Sequence, residues 1–261
     1  IRIDSRNAYI VDLFRVTGRK GYSYTFNFHT AEANPAATSY NGLTFDSAQS
    51  TTYNTNTLRN VRNADTSSSS FSIDWNVLDT WNRYHRGRRA ATDVHLKISM
   101  LDNDGKVRIG EAVPPTNNGN NPSWVPVLMV PREGQTTFTS IIEAYRNRSN
   151  ISSVVSLPVV DSNGHIADSM VVKAVRVKLS DGRTDYIVNS LDTKHQYRVG
   201  GKFSFCGFFG VYSEDAAGKP LFKYINDGTL IAGKTAVARL EGTVTRSEER
   251  RVGKECRSRW S

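Results

Sequence analysis

Cysteine is nearly missing from this chain of 261 residues: there are two, Cys206 and Cys256. No CxxC pair exists, which removes thiolate zinc knuckles and dithiol redox chemistry from consideration. Long apolar runs are also lacking, and nothing approaches the roughly 18 consecutive apolar residues of a spanning helix. Helical periodicity is wanting too, since no segment offers three turns with an apolar stripe. The familiar catalytic signatures GxSxG and HExxH do not occur, nor does a P-loop or a GxGxxG between strand and helix. The chain opens on Ile1-Arg-Ile-Asp-Ser-Arg-Asn-Ala-Tyr-Ile10 without an initiator Met or a basic-then-apolar leader, and is expected to be a piece of a longer polypeptide.

What is present is polar and basic. Hydrophobic residues make up 38% and charged ones 23%, a composition that forms a core and excludes a disordered tail. Lys and Arg number 34 against 25 Asp and Glu, a formal charge of +9. Part of that excess lies in residues 246–261, RSEERRVGKECRSRWS, a charge block without apolar period. It reads as a vector- or adapter-like tail, and setting aside its net +3 leaves +6 of the +9. Within the rest Cys206 stands alone, so no internal disulfide forms there.

The ruling period is two. In Tyr22–Phe28 the aromatic Tyr22, Tyr24, Phe26 and Phe28 alternate with Ser23, Thr25 and Asn27. In Val94–Met100, Val94, Leu96, Ile98 and Met100 alternate with His95, Lys97 and Ser99. Similar patterns mark 7–16, 124–130, 136–143, 153–160, 171–179, 185–190, 203–211 and 221–225. Turn pairs such as Asn41-Gly42, Asn163-Gly164, Asp181-Gly182 and Asp227-Gly228 punctuate them. The expected fold is all-β with almost no helix: stacked antiparallel sheets forming a β-sandwich. Residues 30–70 and 111–123 are expected to be long loops. The chain divides into a main sandwich over 1–157 and a smaller sheet unit over 158–245, followed by the tail.

Two constellations could carry chemistry. His29, Asp46, His85 and His95 are the residue types that ligate zinc, with Tyr24 or Tyr84 as polar neighbours. The bland alternative makes His29 and His95 ordinary solvent-facing strand residues. The run Trp81-Asn-Arg83-Tyr84-His85-Arg86-Gly-Arg88-Arg89 joins arginine forks, which hold carboxylates or sulfates, to rings that stack on sugars. It would equally suit nucleic acid or a solvated basic loop, although no nucleic-acid motif accompanies it. Trp75 and Trp124 are expected in the core, as are Phe203, Phe205, Phe208 and Phe209. Asn147-Arg-Ser149 and Asn150-Ile-Ser152 fit the N-glycosylation pattern.

Several segments in order resemble one family: Ala8–Gly18, the aromatic strand ending in Phe28-His29, Asp93–Leu101, Arg132–Tyr145 with Ile151–Leu157, and Ala174–Val188. The succession, spread over most of residues 1–235, is similar to the sheet portion of heparinase II/III-like polysaccharide lyases, bacterial enzymes that cleave acidic polysaccharides by β-elimination. The resemblance implies an α/α toroid ahead of a supersandwich-like stack, with the cleft between them. It implies secretion, or a periplasmic or cell-surface location. An acidic polysaccharide is then the partner, no nucleic acid or membrane span being called for. A catalytic histidine is implied at strand-end position His29, along with a structural zinc held by His and Asp. Where the family often shows H-x-Y-x-x-H, this chain has Tyr24 and Phe26 ahead of His29. Lacking the toroid, these residues are expected to be inactive alone. The alternative is a non-catalytic carbohydrate-binding or cell-surface module of the same architecture.

Overall fold

A computed structural model describes residues 1–46, 56–78, 93–103, 105–114 and 123–232. Among them the regular secondary structure is almost entirely strand, as the alternating pattern predicts. The first ten strands are β1 (Tyr9–Val16), β2 (Ser23–His29), β3 (Ser39–Asn41), β4 (Leu43–Phe45), β5 (Leu58–Thr66), β6 (Phe71–Val77), β7 (Val94–Leu101), β8 (Val107–Ala112), β9 (Val125–Glu133) and β10 (Thr136–Arg146). They form two antiparallel sheets, a middle one ordered β1-β10-β7-β6-β3 and an outer one ordered β2-β9-β8-β5-β4. A third sheet takes β11 (Ile151–Leu157), β12 (Val159–Val160), β13 (Val172–Leu179), β14 (Thr184–Ser190), β15 (Tyr197–Val199), β16 (Phe203–Glu214) and β17 (Pro220–Ile231). A single 3-10 turn, Pro35–Ala37, is the helical element among the described residues.

The period of two explains the stack. In β7, Ile98 and Met100 point to the outer sheet and share its core with Trp75, Leu128, Val130 and Phe138. Leu101, of opposite parity, joins Tyr9 and Ile141 on the other face, where Val175, Val177, Leu179, Ile187 and Val211 of the third sheet cover them. The middle sheet is thus buried over part of both faces. Each aliphatic side chain fully withdrawn from water contributes about 1.5–3 kcal/mol, so the stack is held by many such terms. The far face of the third sheet gathers Tyr186, Phe203, Phe205 and Tyr212 into a further core.

Polar ties fix the layers in register. Asp185, fully buried, accepts the Tyr9 hydroxyl at 2.7 Å and the Arg183 guanidinium at 2.8 and 3.0 Å, and also bonds the Ser213 hydroxyl. Lys173 reaches across to Asp102 at 2.7 Å. Glu143 accepts from Ser149 Oγ at 2.6 Å and from the Asn150 side chain at 3.2 Å, so the junction of the two consecutive glycosylation triplets is tied down.

Three expectations need correction. Residues 30–70 are not one long loop, since β3, β4 and β5 all lie within them. Ile151–Leu157 pairs with β13, so the third sheet begins at Ile151 and not at residue 158. Phe208 is exposed at 40%, unlike its buried neighbours Phe203 and Phe205. Residues 246–261 lie outside the described residues.

Candidate functional site

A cleft lies between the outer and middle sheets, and an irregularity in β5 shapes it. Arg59 stands opposite Glu111 and Arg62 opposite Ile109, so Asn60 and Val61 together face the single residue Gly110. This is a β-bulge, and Asn60 adopts the left-handed conformation that it requires, with φ 53°. In an unbroken strand, residues 59 and 62 would point to opposite faces. The extra residue brings both arginines to the Ile109 face, while Val61 turns outward beside Val127 and Met129.

Each arginine is then fixed in its own way. Arg59 Nε donates to Glu111 Oε2 at 3.0 Å, the Asn60 amide reaches the same oxygen at 2.5 Å, and the guanidinium lies 4.3 Å above the Trp124 ring. Arg62 lies 4.1 Å from the Phe45 ring centre with the Tyr40 hydroxyl nearby, and Tyr40 meets Phe45 edge-on at 5.1 Å. Burial raises the Tyr40 pKa, and the neighbouring guanidinium pulls it partly back. The space so bounded is about 600 Å³, the size of one or two sugar units, with Glu32, Ser123 and Pro126 on its rim. Its floor is Trp75, fully buried against Phe28; among the described residues no acceptor meets its indole N–H. Trp75 is a core residue, as expected, whereas Trp124 forms a wall of the cleft.

A second cluster lies on the far face of the middle sheet. His95 Nδ1 sits 2.9 Å from Asp74 and Nε2 sits 3.1 Å from Asp93, with the Asn76 amide beside it at 3.4 Å. Tyr145 stacks on the imidazole at 4.8 Å between ring centres, and its hydroxyl bonds Asp74. Burial alone would depress the histidine, but the hydrogen bonds and charges of the two carboxylates outweigh it and raise the pKa above the usual 6.5. A neutral imidazole carries one N–H, so the geometry with a carboxylate at each nitrogen suits the imidazolium.

The structure does not unite the expected zinc ligands. His29 closes β2 on the exposed side of the outer sheet, opposite in parity to the core residues Phe26 and Phe28, with its Nδ1 at 3.2 Å from the Thr30 carbonyl. His95 occupies the opposite surface of the neighbouring sheet, and packed sheets stand about 10 Å apart. No ion can bridge two side chains that diverge from such a pair. Asp46 is engaged elsewhere, with Lys106 at 3.2 Å. Among the described residues no group of three or more His, Cys, Asp or Glu is placed to hold a metal, and His29, Asp46 and His95 do not fit a zinc site. Trp81, Arg83, Tyr84, His85, Arg86, Arg88 and Arg89 lie outside the described residues.

Tyr40, Arg59, Arg62, Glu111 and Trp124 emerge only from the structure. The short spacing of Arg59-Asn-Val-Arg62 was the available signal, but it reads as two faces unless the bulge is known. No protein-family model matches the chain, and no curated protein matches it.

Proposed function

We propose that this chain is the sheet part of a lyase that cleaves uronic-acid-containing polysaccharides by β-elimination. Its own task is to hold the acidic chain in the cleft beside β5. The observation that carries the reading is the pair of arginines turned to one side by the bulge and laid on aromatic rings, Arg59 on Trp124 and Arg62 on Phe45. Guanidinium forks suit carboxylates, and a cleft that mixes aromatic rings with fixed polar groups suits a sugar ring. Neutralising the uronate carboxylate makes the proton at C5 easier to remove, because the enolate-like intermediate then forms beside positive charge. In this reading an α/α toroid of the parent protein provides the acid–base groups, and the protein works outside the cytoplasm of a bacterium.

A non-catalytic carbohydrate-binding module is the second reading, and one feature favours it. The cleft carboxylate Glu111 is already held by Arg59 and Asn60, an arrangement that suits a fixed binding wall. Calorimetric titration with alginate, chondroitin and heparan oligosaccharides tests both. Binding to one of them, weakened at least tenfold in an Arg59→Ala/Arg62→Ala double variant, is expected. No unsaturated-uronate absorbance should develop with residues 1–261 alone. Clear turnover would overturn the division of labour, and the absence of all binding would overturn the cleft assignment.

A further inference from the structure

The two arginines of the cleft are neighbours in space but differ in their electrostatic state. The charge of Arg59 is compensated by the Glu111 carboxylate at 3.0 Å, which the Asn60 amide also holds. A second carboxylate arriving at Arg59 would meet the like charge of Glu111, and displacing Glu111 would leave that group with Asn60 alone. Arg62 has no carboxylate within ion-pair distance among the described residues. Its guanidinium rests on Phe45, with Tyr40 beside it. That leaves an arginine laid on a ring, with donors to spare and its charge unmatched by any carboxylate among the described residues. Such a group binds an anion without first paying to order itself.

We infer that Arg62, and not Arg59, takes the carboxylate of the sugar, and that Arg62 therefore sets the preference of the cleft for a charged glycan over a neutral one. The inference rests on the reading of this cleft as an acidic-polysaccharide site. Arg59, Glu111 and Trp124 form a fixed wall against which the ring lies, contributing to charged and neutral sugars alike. A planar carboxylate fits the free fork of Arg62 through two parallel N–H donors.

The experiment compares a uronate oligosaccharide, an alginate tetramer, with its carboxyl-reduced neutral counterpart, titrated against the full chain. The wild type should prefer the charged ligand by about tenfold to a hundredfold, the range for a charge-assisted pair. In Arg62→Gln the ratio should fall to near one, the charged ligand losing far more affinity than the neutral one. In Arg59→Gln both affinities should fall together and the ratio should survive. Arg62→Lys, which keeps the charge without the fork, should retain part of the preference. Retention of the full preference in Arg62→Gln, or its loss in Arg59→Gln, would overturn the inference while leaving the cleft assignment standing. A wild type that binds neither ligand would remove both. Thermal melts of each variant establish that the fold is intact, as expected for an exposed side chain.

Discussion

The His95 cluster makes stability depend on pH in a direction that can be worked out beforehand. Protonated, the imidazole donates to Asp74 at 2.9 Å and to Asp93 at 3.1 Å. Neutral, it keeps one N–H, and Asp74 has the stronger claim because it is the better buried partner, at 14% side-chain exposure against 49% for Asp93. The contact surrendered is therefore the half-exposed one, which contributes about 1 kcal/mol or less. Because the folded-state pKa lies above the usual value of 6.5, the folded protein binds this proton more tightly than the unfolded chain does. The contribution is complete below the unfolded pKa and disappears as pH rises through the folded one. For a protein of this size about 1 kcal/mol is a melting shift of roughly 2–4 °C. Melting curves of the wild type and His95→Gln should therefore differ more at pH 5.5 than at pH 8.5, by about that amount, while proton NMR places the His95 titration above 6.5. A gap that is constant or wider at pH 8.5, or a titration at or below the ordinary value, would refute the reasoning.

Two further substitutions probe the framework. A Cβ on Gly110 would stand 3.0 Å from the Arg59 carbonyl and from Val61 Cγ2, so Gly110→Ala should press on the bulge. Overpacking of this sort costs about 1–3 kcal/mol, and calorimetry should show weaker glycan binding along with the lower melting point; unchanged binding would separate the bulge from the cleft. Asp185→Asn leaves the Arg183 guanidinium without its bidentate partner in a fully buried setting. Breaking such a pair costs about 3–5 kcal/mol, to be read from the urea midpoint; a loss under about 1 kcal/mol would mean that the Arg2 and Ile3 carbonyls take over the guanidinium.

How much of this was legible in the sequence depends on whether a signal was local. The alternation in Tyr22–Phe28 and Val94–Met100 reports directly which residues face a core, and both segments are strands of that parity. β3 and β4 escape because three residues each are too few to establish a period. β5 escapes for another reason, since its bulge inverts the phase halfway along and Arg59 and Arg62 no longer alternate as the letters suggest. β11, Ile-Ser-Ser-Val-Val-Ser-Leu, looks like the end of the first unit because it follows β10 so closely, yet its partner β13 is remote in the chain. The same limit governs the site. The cleft is assembled from residues 32–40, 59–62, Trp75, 109–111 and 123–126, and no one of these announces it. His95 was visible as a titratable residue, but Tyr145 reaches it only through the pairing of β10 with β7.

The bulge in β5 also decides what kind of genetic change the charged cleft can survive. Removing Asn60 outright would leave Arg59, Val61 and Arg62 opposite Glu111, Gly110 and Ile109 in an ordinary ladder, with both guanidinium groups still on the inner side. Replacing it with a β-branched residue, which resists the left-handed backbone, would instead favour straightening at full length and send one arginine out to water. A lost codon is here gentler than a changed one.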